Sequence, residues 1–163
     1  MSLAKFLKRN FVDLGVACLS IIAYGVALFS TAIAGFWTGP DFDHPPMSGM
    51  DCLLSGWFHF PIGWLANPLL FTAIILLVIR FRIAAFLLAI GAIGLAWSWT
   101  YEFCRQFSAT LLMSGYHWWL LSMQVLVVGN FCSLVLHYRE TWQSFRSLRQ
   151  ARQVPVTNVQ ESG

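Results

Sequence analysis

From Cys52 to Ile79 the chain runs 28 residues, CLLSGWFHFPIGWLANPLLFTAIILLVI, without an Asp, Glu, Lys or Arg. A charge-free stretch of this length is long enough to cross a lipid bilayer, whose hydrocarbon core takes about 20 helical residues. It does not read as a plain spanning helix, because Gly56, Pro61, Gly63 and Pro68 divide it. Counting back about 20 residues from Arg80 reaches Pro61, a residue suited to the first helical position. Asn67-Pro68 then falls one to two turns inside the hydrocarbon. Starting the helix instead with Asn67 as its cap leaves only about 18 Å of helix, too short to cross. The pattern predicts a kinked or broken span, with carbonyls freed near residues 64–65 and Asn67 turned into a bundle, since irregular backbone at that depth must be covered by protein or water.

The rest of the chain supplies the bundle. Of 163 residues, 58% are hydrophobic and 10% charged, outside the range of soluble domains. Three further apolar segments run from Phe11 to about Trp37, Ile83 to Trp99 and Ser114 to Leu136, with Asp13 near the inner end of the first. The expected fold is an all-α integral membrane protein, a single four-helix bundle over residues 1–136. Lys5, Lys8 and Arg9, then Arg80 and Arg82, then Arg139, Arg146, Arg149 and Arg152 alternate with a loop holding Asp41, Asp43 and Asp51. By the excess of basic residues on cytoplasmic loops, both termini are expected in the cytoplasm. Ser48 and Asp51 suggest a capping box opening a short interfacial helix from about Ser48 to Phe58. Ala23, Ala27 and Gly25 suggest a small packing face, and the third segment carries small residues at Ala84, Ala85, Ala89, Gly91, Ala92, Gly94 and Ala96. A rival reading takes residues 1–34 as a cleaved secretory signal with Ala32-Ile33-Ala34 as its site. The apolar core is longer than signals usually carry, which favours a retained helix.

Residues 137–163 are expected to form a basic amphipathic juxtamembrane helix and then a disordered tail. Tyr138, Trp142, Phe145 and Leu148 share a side, and Arg139, Arg146, Arg149 and Arg152 can meet anionic headgroups or a protein partner. No nucleic-acid motif is present. Cys52 and Cys104 fall in the two external loops and are candidates for a disulfide. Asn67, Pro68 and Gln124 are the candidates for an intramembrane polar site, with Gln124 the expected partner of Asn67. His59, His117 and Glu102 share the external side and are competent metal or haem ligands, although their spacing forms no ligand motif. The cofactor is left open.

Three fragments, Cys52-Leu53-Leu54 with Gly56-Trp57, then Trp64-Leu65-Ala66-Asn67-Pro68-Leu69, then Gly115-Tyr116 with Trp119-Leu120, resemble those of a loose group of small bacterial four-span membrane proteins. The resemblance covers about residues 48–125 and implies the fold and a bacterial cytoplasmic membrane, with no activity attached. His117-Trp118 departs from the pattern after Gly115-Tyr116. The quinone-linked disulfide-forming membrane proteins share the layout, but this chain lacks their paired loop cysteines. The expected function is therefore a non-enzymatic accessory or interaction subunit, contacting the bilayer and another membrane protein or a second copy. The alternatives are a transporter, pore or small-molecule-binding protein built on the broken span, and a thiol-redox or cofactor-bearing enzyme.

Overall fold

The computed structural model describes residues 3–34, 36–39, 42–59, 61–106 and 111–152. Ten elements follow in order: α1 (Leu3–Phe29), β1 (Thr31–Ile33), β2 (Phe36–Gly39), β3 (Phe42–His44), β4 (Met47–Ser48), α2 (Gly49–His59), α3 (Pro61–Trp64), α4 (Ala66–Val78), α5 (Arg82–Gln106) and α6 (Ser114–Arg152). Among the described residues, four helical stretches are long and apolar enough to cross a membrane: Phe11–Phe29, Pro61–Val78, Arg82–Gln106 and Ser114–Arg149. Their outward faces are apolar too, with Leu19, Ile22, Ile75, Leu87 and Val128 exposed. A surface of that kind is compatible with membrane-spanning helices.

Small residues let the helices approach. On α4, Ala66, Leu70, Ala73 and Leu77 are fully buried, and on α5 so are Ala85, Ala89, Ala92 and Ala96. Both sets step by fours and threes, the spacing of one helix face. Helix α1 lies against α6, where a side chain at Gly129 would overlap Val16. Ser20 Oγ donates to the Ser122 carbonyl across the same seam at 2.8 Å. Ala23 and Ala27 are buried, whereas a side chain added at Gly25 would meet nothing within 4 Å, so close packing does not require glycine there.

Two clusters mark opposite ends of the bundle. At the basal end Asp13, only 2% exposed, accepts from Arg82 Nε at 3.1 Å and Nη2 at 2.6 Å and from the Ser133 hydroxyl. This buried ion pair ties α1, α5 and α6. Asp13, near the inner end of the first segment in sequence, is thus paired with Arg82 inside the bundle. At the distal end Ala32, Ile33 and Phe103 form a second small core, and the 111–113 segment joins it. Ala34 N–H donates to the Leu111 carbonyl (2.8 Å) and Met113 N–H to the Ala32 carbonyl (2.9 Å). The four long segments therefore alternate in direction, and the start of α1 and the end of α6 lie at the same, basal end.

Several boundaries differ from the sequence reading. The first helix stops at Phe29 rather than near Trp37, because Thr31 to Ile33 pair with Met47-Ser48 as strands. Phe36–Gly39 and Phe42–His44 form a second antiparallel pair. β-Branched and aromatic residues favour strands, and an apolar run conceals that switch. The third helix continues past Trp99 to Gln106. Gly35, Asp41 and the tail from residue 153 lie outside the described residues. The capping box is present as expected: Asp51 N–H donates to Ser48 Oγ at 3.1 Å, and Ser48 N–H donates to Asp51 Oδ2 at 2.9 Å. The turn between α4 and α5 carries a Schellman closure. Phe81 N–H donates to the Leu76 carbonyl (2.8 Å) and Arg80 N–H to the Leu77 carbonyl (3.1 Å). Arg80 sits at the left-handed position, φ 75°, usually given to glycine.

Candidate functional site

The second span is irregular at a single residue, Leu65, which keeps helical dihedrals, φ −59° and ψ −21°, so its carbonyl is not freed as the sequence reading expects. Helices α3 and α4 are separated at Leu65, whose N–H donates to the Pro61 carbonyl at 3.1 Å while its own carbonyl receives Leu69 N–H at a long 3.4 Å. Pro68 has no N–H to give the Trp64 carbonyl. Trp64 is fixed from the other side, its indole Nε1 donating to the Leu53 carbonyl of α2 at 2.8 Å. Hence α2 and α3 form a bracket beside the break.

Behind that bracket Asn67 is 7% exposed and points inward, as the sequence predicts. Its partners are not the predicted ones. Trp119 Nε1 lies 2.8 Å away and Tyr24 Oη 3.2 Å away, both against Oδ1. An indole N–H can only donate, so the amide atom facing Trp119 must be the oxygen. Both interactions fall on that atom, and the two N–H donors of Nδ2 have no partner among the described residues. Gln124 takes no part, because it lies on the exposed face of α6. The buried positions Tyr116, Met123 and Asn130 follow one another at seven-residue steps, which turns position 124 about 100° away.

Asn67 lines a cavity of about 80 Å³ that opens on one side at the distal end. The wall is almost wholly apolar and aromatic: Tyr24 and Leu28 from α1, Cys52 and Leu53 from α2, Trp64 from α3, Trp99 from α5, Tyr116 and Trp119 from α6. Trp99 is the hub, with ring centres 5.6 Å from Tyr116 and 6.3 Å, edge-on, from Trp119. Tyr116 is held by its hydroxyl contact with Thr100. A side chain at Gly63 would come within 2.7 Å of the Trp99 ring, so glycine is what lets that indole reach the cavity wall. Among the described residues no charged side chain lines the cavity.

Cys52 and Cys104 are free thiols in this structure, as are Cys18 and Cys132. Burial, and then the charge of Asp51, pushes the Cys52 thiol up to about 11. It is therefore protonated at neutral pH and a poor nucleophile. Asp51 itself is held below its ordinary range by the hydrogen bonds from Ser48. Glu102 is exposed and faces Arg105 at 4.0 Å. His117 is also exposed, its ring edge-on to Tyr116. The His59 side chain lies outside the described residues, and among those described no three His, Cys, Asp or Glu side chains converge.

The predicted tail helix is continuous with the fourth span, α6 running 39 residues. Tyr138, Trp142, Phe145 and Leu148 are exposed. Trp142 stacks on Phe145, Arg146 lies 5.5 Å over Trp142 and Arg149 6.0 Å over Phe145. The Arg152 side chain lies outside the described residues. Compared with known proteins, the chain matches no family model, no curated protein and no solved structure.

Proposed function

We propose that this chain is a multi-pass protein of a bacterial cytoplasmic membrane that binds a small, largely apolar molecule carrying a hydrogen-bond acceptor. The observation that carries this reading is the Asn67 amide: buried, oriented by two donors on its oxygen, and with two unused donors beside an aromatic cavity. Such a group recognises a ketone, ester or quinone carbonyl, while the apolar wall takes the rest of the molecule. Among the described residues the cavity lining offers neither a charged acid–base pair nor an ionised thiol, so the reading is binding, not turnover. Basic residues at the basal end support an orientation with both termini cytoplasmic, which sets the cavity in the outer half of the membrane.

A second reading, an accessory subunit, is favoured by the exposed aromatic and arginine face of α6 beyond residue 137. It concerns the other end of the molecule and is compatible with the first.

The test is solvent extraction of protein purified in mild detergent, followed by mass spectrometry. Wild-type protein should release a carbonyl-bearing apolar compound in near-stoichiometric amount, and an assembled Asn67→Leu protein should not. Equal amounts from both would contradict the reading, and loss of assembly in Asn67→Leu would assign Asn67 to holding helices together.

A further inference from the structure

Helix α6 is one uninterrupted rod of 39 residues, about 58 Å long at 1.5 Å per residue. The hydrocarbon of a bilayer is about 30 Å thick, so the last third of α6 stands clear of it. No glycine or proline follows Gly129 within the helix to bend it back. Along its outward side Val128, Phe131, Val135, Tyr138, Trp142 and Phe145 follow one another at steps of three and four, each 49–73% exposed. That is the repeat of a helix-pairing seam, and it continues in phase from the apolar span into the part beyond. Lipid can cover only its first half. Phe145 lies about 13 Å past Leu136, the end of the apolar run, farther than the headgroup layer of about 5–7 Å reaches. Carried the other way, the same steps reach Gln124 and Leu121, both exposed. Gln124 sits at mid-span, and its side chain has no hydrogen-bond partner among the described residues.

We infer that α6 pairs in parallel with the α6 of a second copy of this chain, along the seam from Leu121 to Phe145. A partner for this surface must itself leave the membrane as a straight helix at the same level, and a second copy does so by construction. A lipid-facing amide is costly, whereas two glutamine side chains meeting across a twofold axis satisfy each other, donor to acceptor in both directions. The charges allow the pairing. With Tyr138 and Phe145 as d positions of the repeat, Arg139 and Arg146 take the e positions, and the g positions that they meet on the second copy are the neutral Leu134 and Thr141. The next step of the seam is Arg149, drawn over the Phe145 ring at 6.0 Å, and there the seam ends. The area is sufficient as well. Four aromatics of about 150–250 Å² each, about half or more of it exposed, offer about 450 Å² per copy. The aliphatic positions between them take the total for two copies past the roughly 1,000 Å² of a specific interface. This gives a definite occupant to the α6 face on which the accessory reading rests, and it is independent of the Asn67 cavity.

The experiment reconstitutes full-length protein in lipid vesicles from two populations, one with a donor and one with an acceptor fluorophore at the C-terminus. Energy transfer is followed as the protein is diluted with lipid. Wild-type transfer should persist at dilutions where random encounter gives none. Trp142→Glu combined with Phe145→Glu puts charges on the seam where it is exposed; the double variant should keep the wild-type melting temperature and pair at least 10-fold more weakly. Gln143→Glu, one residue off the seam, should leave pairing unchanged. Gln124→Leu should weaken pairing roughly 3- to 18-fold, the worth of one hydrogen bond between membrane helices. A photo-crosslinking side chain in place of Tyr138 should give a two-copy adduct, and one in place of Gln143 should not. Wild-type transfer no greater than random encounter, full transfer in the folded double variant, or undiminished pairing in Gln124→Leu would overturn the inference. A wild type that stays monomeric yet binds an acidic helical peptide would overturn it too, assigning the seam to a foreign helix.

Discussion

Neutralising Asp13 tests the ion pair that closes the basal end of the bundle. The Asp13 side chain is 3% exposed and that of Arg82 13%, so neither charge is solvated when its partner is removed. Asp13→Asn keeps the shape but leaves the guanidinium buried with no counter-charge, and the contacts at 2.6 and 3.1 Å lose their ionic character. Breaking one side of such a pair costs about 3–5 kcal/mol. Arg82→Gln should cost a similar amount, because it strands the carboxylate. Removing both charges leaves neither stranded, so the double variant should be clearly more stable than the sum of the single losses predicts. A double-mutant cycle measured by denaturant unfolding in detergent should give a coupling of more than about 1 kcal/mol. If each single change costs less than about 1 kcal/mol and the two add, the pair behaves as a solvated surface contact, and the burial argument fails.

Three further outcomes are expected. Ala92→Leu forces a larger side chain into the α4–α5 seam, where Ala92 is fully buried; it should cost about 1–3 kcal/mol, seen as a lower melting temperature and less assembled protein. Asn130 is fully buried, and among the described residues neither its amide oxygen nor its nitrogen has a hydrogen-bond partner. Asn130→Val removes those groups at about the same size and should raise stability by about 1–3 kcal/mol in the same unfolding assay, a loss counting against the orphaned amide. Cys52, with its thiol pushed up to about 11, should label slowly with maleimide at neutral pH and reach half-maximal rate only near that value, because the thiolate is the reacting form. A fast reaction at pH 7 would contradict its burial.

The membrane-length segments, the irregular turn near Pro68, the inward Asn67 and the capping box were legible because each rests on local chemistry: run length, a missing N–H, a short hydroxyl-to-carboxylate span. The partners of Asn67 were not. Tyr24 and Trp119 belong to helices far apart in sequence, and only their packing selects them over Gln124. Counted from Tyr116, Gln124 falls at i+8, about 80° round the helix and still at the edge of one apolar face, and the sequence does not say which aromatic of Tyr116, Trp118 and Trp119 faces the bundle. Asp13 was visible as a charge near the end of a span, and its pairing with Arg82 could be seen only once α1 and α5 lay side by side. The strands after Phe29 were concealed because residues 31–37 are as apolar as the helix before them.

The most direct test of the central claim is whether the Asn67 amide selects for an acceptor. Protein in nanodiscs would be titrated with a medium-chain methyl ketone and with the alkane of equal length, following the tryptophan fluorescence of the cavity, whose wall holds Trp64, Trp99 and Trp119. One net hydrogen bond contributes about 0.5–1.5 kcal/mol, or roughly a 2- to 12-fold preference. The wild type should favour the ketone by that factor, and an assembled Asn67→Leu variant should bind both equally. Equal binding of ketone and alkane by the wild type, or a preference that survives in Asn67→Leu, would contradict the account.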